Sequence, residues 1–221
     1  MKKFTYMDLA ALLILLLPVT YLALIYSSLP AVVPMHYGID GKVDSYGNKS
    51  ELILTQGILI GAGAMVYLLL KFLPAIDPKK QVKFGEETFG KIGSAIILFM
   101  SALSIGIVYA TVHQGFAIDK LILPLFGLFF AFMGNLMNSI KPNYFAGIRT
   151  PWTLESEDNW RSTHRIAGRL WFIGGIILTI ATLLLPAKLA TIFFMCGLAV
   201  LALIPVVYSY IYFKNHQTNQ N

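Results

Sequence analysis

The stretch GRLWFIGGIILTIATLLLPAKLATIFFMCGLAVLALIPVVYSYIYF, residues 168–213, decides the fold. It holds two apolar runs, Gly168–Leu185 and Leu189–Phe213, separated only by Pro186, Ala187 and Lys188. The hydrocarbon core of a bilayer is about 30 Å thick and a helix rises about 1.5 Å per residue, so about 20 apolar residues cross it. So short a connection predicts a tight helical hairpin. Upstream, Leu9–Ser27, Leu52–Phe72, Ile92–Val112 and Leu121–Ser139 meet the same requirement. The expected fold is all-α, a polytopic membrane bundle of about six transmembrane helices.

Composition agrees. Of the 221 residues, 57% are hydrophobic and 13% charged, whereas a soluble domain is about a quarter charged. The net charge of +6 would suggest nucleic acid in a soluble protein. Here it is explained by Lys and Arg gathering in cytoplasmic loops, with no direct nucleic-acid partner. The single cysteine, Cys196, lies in an apolar run and reads as a packing residue. Two lysines before the first run resemble a signal peptide, but the run is too long for one and is read as a retained span.

Orientation follows from the 17 basic residues. With the N-terminus inside, the inner set is Lys2, Lys3, Lys71, Lys79, Lys80, Lys83, Lys91, Lys141, Arg149, Arg161, Arg165, Arg169 and Lys214. Only Lys42, Lys49, Lys120 and Lys188 fall outside. This bias predicts N-in and C-in. Pro30, Pro34, Pro74, Pro78, Pro142, Pro151 and Pro186 are expected in loops, Pro124 in the first turn of the fourth span, and Pro18 and Pro205 inside spans. The polar tail Asn215–Asn221 is expected to be disordered.

Two loops are long enough to carry structure. The outer one, residues 29–51, reads LPAVVPMHYGIDGKVDSYGNKSE. Asp40-Gly41 between Val32–Tyr37 and Lys42–Tyr46 predicts a β-hairpin, hence an ordered lid. Ser50 is expected to cap the second span. His36, Tyr37, Asp40, Asp44 and Tyr46 are the ligand-facing candidates of this loop. The spacing of His36, Asp40 and Asp44 matches no metal motif, and neither metal nor cofactor is expected.

The inner loop, residues 140–167, reads IKPNYFAGIRTPWTLESEDNWRSTHRIA. Thr150-Pro151 predicts the start of a short helix, and Ser156 with Glu157 and Asp158 a second start that runs on into the fifth span. Arg161, Arg165 and Arg169 share one face. Trp152, Trp160 and Trp171 gather here, at the depth where tryptophan anchors a helix to the membrane interface.

The segment KPNYFAGIRTPWTLESEDNWRSTHRIAGRLW, preceded by Gly134-Asn135, resembles the signature of the SdpI family, bacterial membrane proteins of toxin immunity. The outer-loop segment LPAVVPMHYGIDGKVDSYGNK resembles a membrane domain of unknown function often found in front of that signature. By position, Asn143, Gly147, Arg149, Thr150, Pro151, Trp152, Trp160, Thr163, His164 and Arg165 match the motif. The resemblance implies two regions: residues 1–75, with two spans and the ordered outer loop, and residues 76–221, with four spans and the motif-bearing inner loop. It also implies a non-enzymatic protein of the bacterial inner membrane that meets an extracellular peptide toxin and signals to a cytoplasmic transcriptional regulator.

Two other classes, an intramembrane enzyme and a transporter, would require different residues. An intramembrane enzyme needs paired aspartates, HExxH or a Ser/His arrangement in its spans, and none is written there. A transporter tends to keep ionisable residues or broken helices at the midplane. The polar midspan candidates are Asn135 and Asn138, which are expected to bond to a neighbouring helix. Gly57 and Gly61, at GxxxG spacing, are expected to let helices pack closely within the monomer. Oligomeric state is not written in the sequence.

Overall fold

The computed structural model describes residues 4–76, 86–113 and 115–217. Lys2, Lys3, Pro78, Lys79, Lys80, Lys83 and the tail beyond Gln217 lie outside these residues. Helix α1 spans Tyr6–Ile25 and passes through a short 3-10 turn, Tyr26–Ser28. Strands β1 (Val32–Tyr37) and β2 (Val43–Asn48) follow, then helices α2 (Ser50–Ile76), α3 (Glu86–Val112) and α4 (Asp119–Met137). A short helix α5 (Pro151–Glu155) leads into α6 (Glu157–Leu184) and α7 (Ala187–Gln217). Among the described residues, six helices are long and apolar enough to cross a membrane, and they coincide with the six apolar runs. Large apolar side chains such as Leu24, Leu54, Met65, Ile173 and Leu184 are exposed on them. Such a surface is stable against lipid and not against water. The chain is a multi-pass membrane protein.

The helices pack as two groups of three. In the first, α3 lies against both α1 and α2; in the second, α6 lies against α4 and α7; α3 and α4 join the groups. An aromatic seam crosses that junction: the Phe99 ring stands 4.8 Å from Phe126 and 4.6 Å from Phe129.

The tightest contact is between α4 and α6. Gly127 and Gly134 of α4 face Gly175 and Gly168 of α6, each pair seven residues apart. A Cβ on Gly134 would sit 2.8 Å from the Gly168 carbonyl oxygen, and one on Gly127 2.9 Å from that of Gly175. The two backbones therefore touch, and only hydrogen fits between them. Gly57 and Gly61 of α2 behave otherwise: a Cβ on either would meet nothing within 4 Å. Their spacing does not serve packing within the monomer.

Helix α1 is held to α2 at its start by charge. Asp8 closes a capping box with Thr5 and accepts from Tyr67 at 2.9 Å and from the Lys71 ammonium at 2.5 Å. Inside α2 and α3, Gln56 and Ser104 hydrogen-bond each other in the core. Asn135 and Asn138, by contrast, are exposed.

Helix ends depart from expectation at several positions. Asn48, two residues before α2, accepts the Ser50 amide on its Oδ1 at 2.9 Å, while Glu51 accepts the Asn48 amide at 2.9 Å. Ser50 is thus the first residue of the helix, its amide and hydroxyl both donating back to Asn48. Pro74 is inside α2, Pro34 is in β1, and Pro124 is past the first turn of α4. Pro34 is tolerated because each strand of a two-stranded sheet has a free edge. Helix α7 continues through Asn215 to Gln217.

Candidate functional site: a lidded cavity and a buried clamp

At one end of the bundle stand the hairpin, the turn before α4 and the α6–α7 turn. The strands pair antiparallel, with irregular register between Pro34 and Tyr37. The turn closes through the Gly38 amide on the Lys42 carbonyl at 2.8 Å, with Gly41 at φ +76°. That positive φ is what Asp-Gly supplies. Val33 is fully buried against Leu52 and Val108. The hairpin is thus a docked lid, and the Asp40-Gly41 reading of the sequence finds its structure here.

Beneath the lid lies a cavity of about 530 Å³, lined among others by Tyr37, Asp40, Tyr46, Phe116 and Asp119. Of the five outer-loop candidates, Tyr37, Asp40 and Tyr46 line it. His36 and Asp44 instead face away and pair with each other, Nδ1 to Oδ1 at 2.6 Å. Burial, and after it the nearby Tyr46, holds the Tyr37 phenol above its usual pKa. The floor belongs to α4 and was not singled out from the sequence. Lys120 turns away to the C-terminus of α6, donating to the carbonyls of Thr182 at 2.9 Å, Leu183 at 3.1 Å and Leu185. A cation there satisfies orphan carbonyls and the helix dipole together. Lys49 does the same for the end of α1, donating to Tyr26 and Leu29 at 3.1 and 3.2 Å.

At the opposite end, the inner-loop motif folds into a clamp. Asn143 is buried; its Oδ1 accepts from the Phe145 and Ala146 amides at 2.8 Å each, and its Nδ2 donates to Lys141 and Ala146 carbonyls. One side chain thus closes the turn that carries Gly147. Gly147 has φ +111°, and a Cβ there would strike the His164 ring and sit 3.1 Å from Trp160. Thr150 caps α5 with Pro151 at its first position, and Thr153 completes the reciprocal box. Glu157 begins α6 with Ser156 as cap.

The motif's other polar groups turn inward. His164 is 1% exposed and its ring stacks on Trp160 at 4.1 Å. Trp160 donates to the Ile140 carbonyl at 2.9 Å. Thr163 donates to Asn159, and Asn159 donates to the Ser209 carbonyl at 3.0 Å. Trp152 donates to Ser209 Oγ at 2.5 Å, which lies 3.3 Å from Thr150 Oγ1. Trp160 is therefore a core residue, and Trp171, half-buried against the core, donates to the Leu201 carbonyl at 2.8 Å. The interface-anchor reading of the tryptophans does not hold for them. Arg149, Arg161 and Arg165 remain on the surface, Arg149 bonded to the Tyr144 carbonyl and Arg161 paired with Glu157 at 2.5 Å.

Residues 139–209, which span this clamp from the turn after α4 to Ser209, match the family model described as the SdpI/YfhL protein family. In this region the chain is similar to the SdpI family. Residues 13–61, which include the lid, match a domain of unknown function, DUF1648. The chain is 24% identical over 195 residues to a Bacillus subtilis (strain 168) protein named immunity protein SdpI, covering 86% of this chain and 88% of that one. It is 35% identical over 51 residues to an uncharacterized Archaeoglobus fulgidus protein, 23% of this chain and 28% of that one. No solved structure matches it. The SdpI-family motif thus covers a clamp whose partners Thr153, Asn159 and Ser209 were not read from the sequence. Only a lone serine in the run VVYSY could have pointed to Ser209.

Proposed function

We propose that the chain is a non-enzymatic immunity protein, protecting a bacterial membrane against a membrane-acting peptide toxin. The observation that carries this reading is the end-to-end likeness to the immunity protein of Bacillus subtilis, which spans lid and clamp alike. The geometry suits it. The motif's buried polar groups are engaged in holding α5, α6 and α7 together, which fits a structural and signalling part better than a catalytic one.

In this reading the chain lies N-in and C-in, with the lid outside, where a toxin arrives, and the clamp inside. Residues 1–75 supply the lid and 76–221 the clamp. The surface arginines Arg149, Arg161 and Arg165 face the cytoplasm and could receive a transcriptional regulator. Helix α6 connects the ends, because Lys120 beside the cavity holds its C-terminus and the clamp holds its N-terminal half. A toxin would shift such a helix only by binding one packing state better than another.

The test is survival of cells lacking this protein when exposed to membrane-acting peptides from neighbouring bacteria. Cells carrying wild type should survive, and cells carrying Arg149→Ala at equal level should not. Wild-type cells that die like the empty strain under every peptide would overturn the immunity reading.

A further inference from the structure

We propose that the cavity under the lid is a binding site for a peptide cation, the ammonium of a lysine side chain, with Asp119 as its counter-ion.

The argument starts from an unsatisfied group. Asp119 is 9% exposed, and its Oδ2 is buried with no hydrogen-bond partner. A buried carboxylate oxygen without a partner carries a desolvation penalty that a native protein normally removes with a donor. The neighbouring cations do not supply it. Lys120 is committed to the end of α6, Lys49 to the end of α1, and Lys42 lies 3.8 Å from Asp40 on the lid surface. Among the described residues Asp119 has neither ion pair nor hydrogen bond, yet it lines an open space of about 530 Å³.

The walls match the same ligand. Tyr37, Tyr46 and Phe116 line the cavity with Asp119, and a carboxylate among aromatic rings is how proteins hold an ammonium, by charge and by attraction to the ring faces. Gly41 of the lid approaches Asp119 so closely that a Cβ would lie 3.0 Å from Oδ1. The lid therefore meets the carboxylate with bare backbone and leaves the rest of the space to the ligand. The volume suits one long side chain with adjoining backbone.

That the cation belongs to a peptide rests on the immunity reading; that the cavity takes an ammonium does not. The test is calorimetric titration of the full chain in maltoside micelles, which carry no ammonium. The probes are acetyl-Leu-Lys-Leu-amide, its Gln counterpart acetyl-Leu-Gln-Leu-amide, and glycerophosphoethanolamine. The lysine tripeptide should bind saturably, and at least tenfold more tightly than the glutamine one. Asp119→Asn should weaken the lysine tripeptide at least tenfold, with folding checked by emission of the tryptophans at the far end. Should that variant not fold, Tyr46→Leu, at an exposed position, should weaken binding at least threefold.

No binding by folded wild type, equal binding of the glutamine tripeptide, or undiminished binding by Asp119→Asn or Tyr46→Leu would overturn the proposal. Glycerophosphoethanolamine binding as tightly as the lysine tripeptide would make this a lipid-headgroup site and overturn the peptide assignment. Survival is a separate readout: cells protected by a protein that binds no ammonium keep the immunity reading and lose this one.

Discussion

His164 holds the backbone of Ile148 against its own helix: Nε2 accepts the Ile148 amide hydrogen at 3.2 Å, while Nδ1 donates to the Trp160 carbonyl at 2.8 Å. The two bonds fix a neutral imidazole with its hydrogen on Nδ1, since an amide can only donate and a carbonyl only accept. His164 is thus a bracket between the Gly147 turn and α6.

His164→Phe should therefore keep the stack on Trp160 and lose both bonds, leaving the Ile148 amide unpaired. The expected loss is about 1–3 kcal/mol of stability. His164→Ala, which also removes the stacked ring, should lose more. Denaturant midpoints in micelles check both, and a phenylalanine variant as stable as wild type would remove the bracket from the account.

Ser209 is the point where α7 meets α5 and α6. Its hydroxyl donates to Val206 at 2.7 Å and accepts from Trp152. Ser209→Ala should cost about 1–2 kcal/mol and release Trp152 from its place beside Tyr210 and Phe213. In a background where Trp160 and Trp171 are phenylalanine, the Trp152 emission should move to longer wavelength. An unchanged spectrum would show that aromatic packing alone holds α5.

Glycine placement gives a paired prediction. Gly175→Ala puts a methyl against the backbone of Ala131 and Gly127 in α4, so the helices must separate at a cost of about 1–3 kcal/mol. Gly57→Ala meets nothing within 4 Å and should be neutral or more stable by up to about 1 kcal/mol, the helix gain over glycine. Thermal unfolding of the two variants side by side checks the order, and a reversed order would mean that α2 carries the close contact.

These glycines show where sequence is informative and where it is not. Six apolar runs set the spans because length against bilayer thickness needs no partner. Asp40-Gly41 set the hairpin because a turn is local. The face on which a membrane helix meets its neighbour is another matter. Lipid is as apolar as the protein core, so burial leaves no amphipathic stripe to read. The GxxxG pair Gly57 and Gly61 therefore looked like a contact and is open, while four glycines at sevenfold spacing went unread. Tryptophan suits an interface and a core equally, which is why Trp160 misled. Asp119 and Lys120 are adjacent in sequence, where only Lys120 stands out, as an outer charge. Only the fold shows Lys120 bound to the end of α6 and the carboxylate left alone.

Orientation can be tested residue by residue. Cys196 is exposed on a spanning helix, so a Cys196→Ser background clears the only native thiol without touching lid or clamp. In that background, cysteine at Lys42 reports on the lid and cysteine at Arg161 on the clamp; both side chains are well exposed. The excess of Lys and Arg near the clamp end predicts a cytoplasmic location for that end. A membrane-impermeant maleimide added to intact cells should then label Lys42→Cys and spare Arg161→Cys, and permeabilised cells should show both labelled. The opposite pattern would invert the protein and move the lid and its cavity to the cytoplasmic side. No toxin arriving from outside could then reach Asp119 without first crossing the membrane.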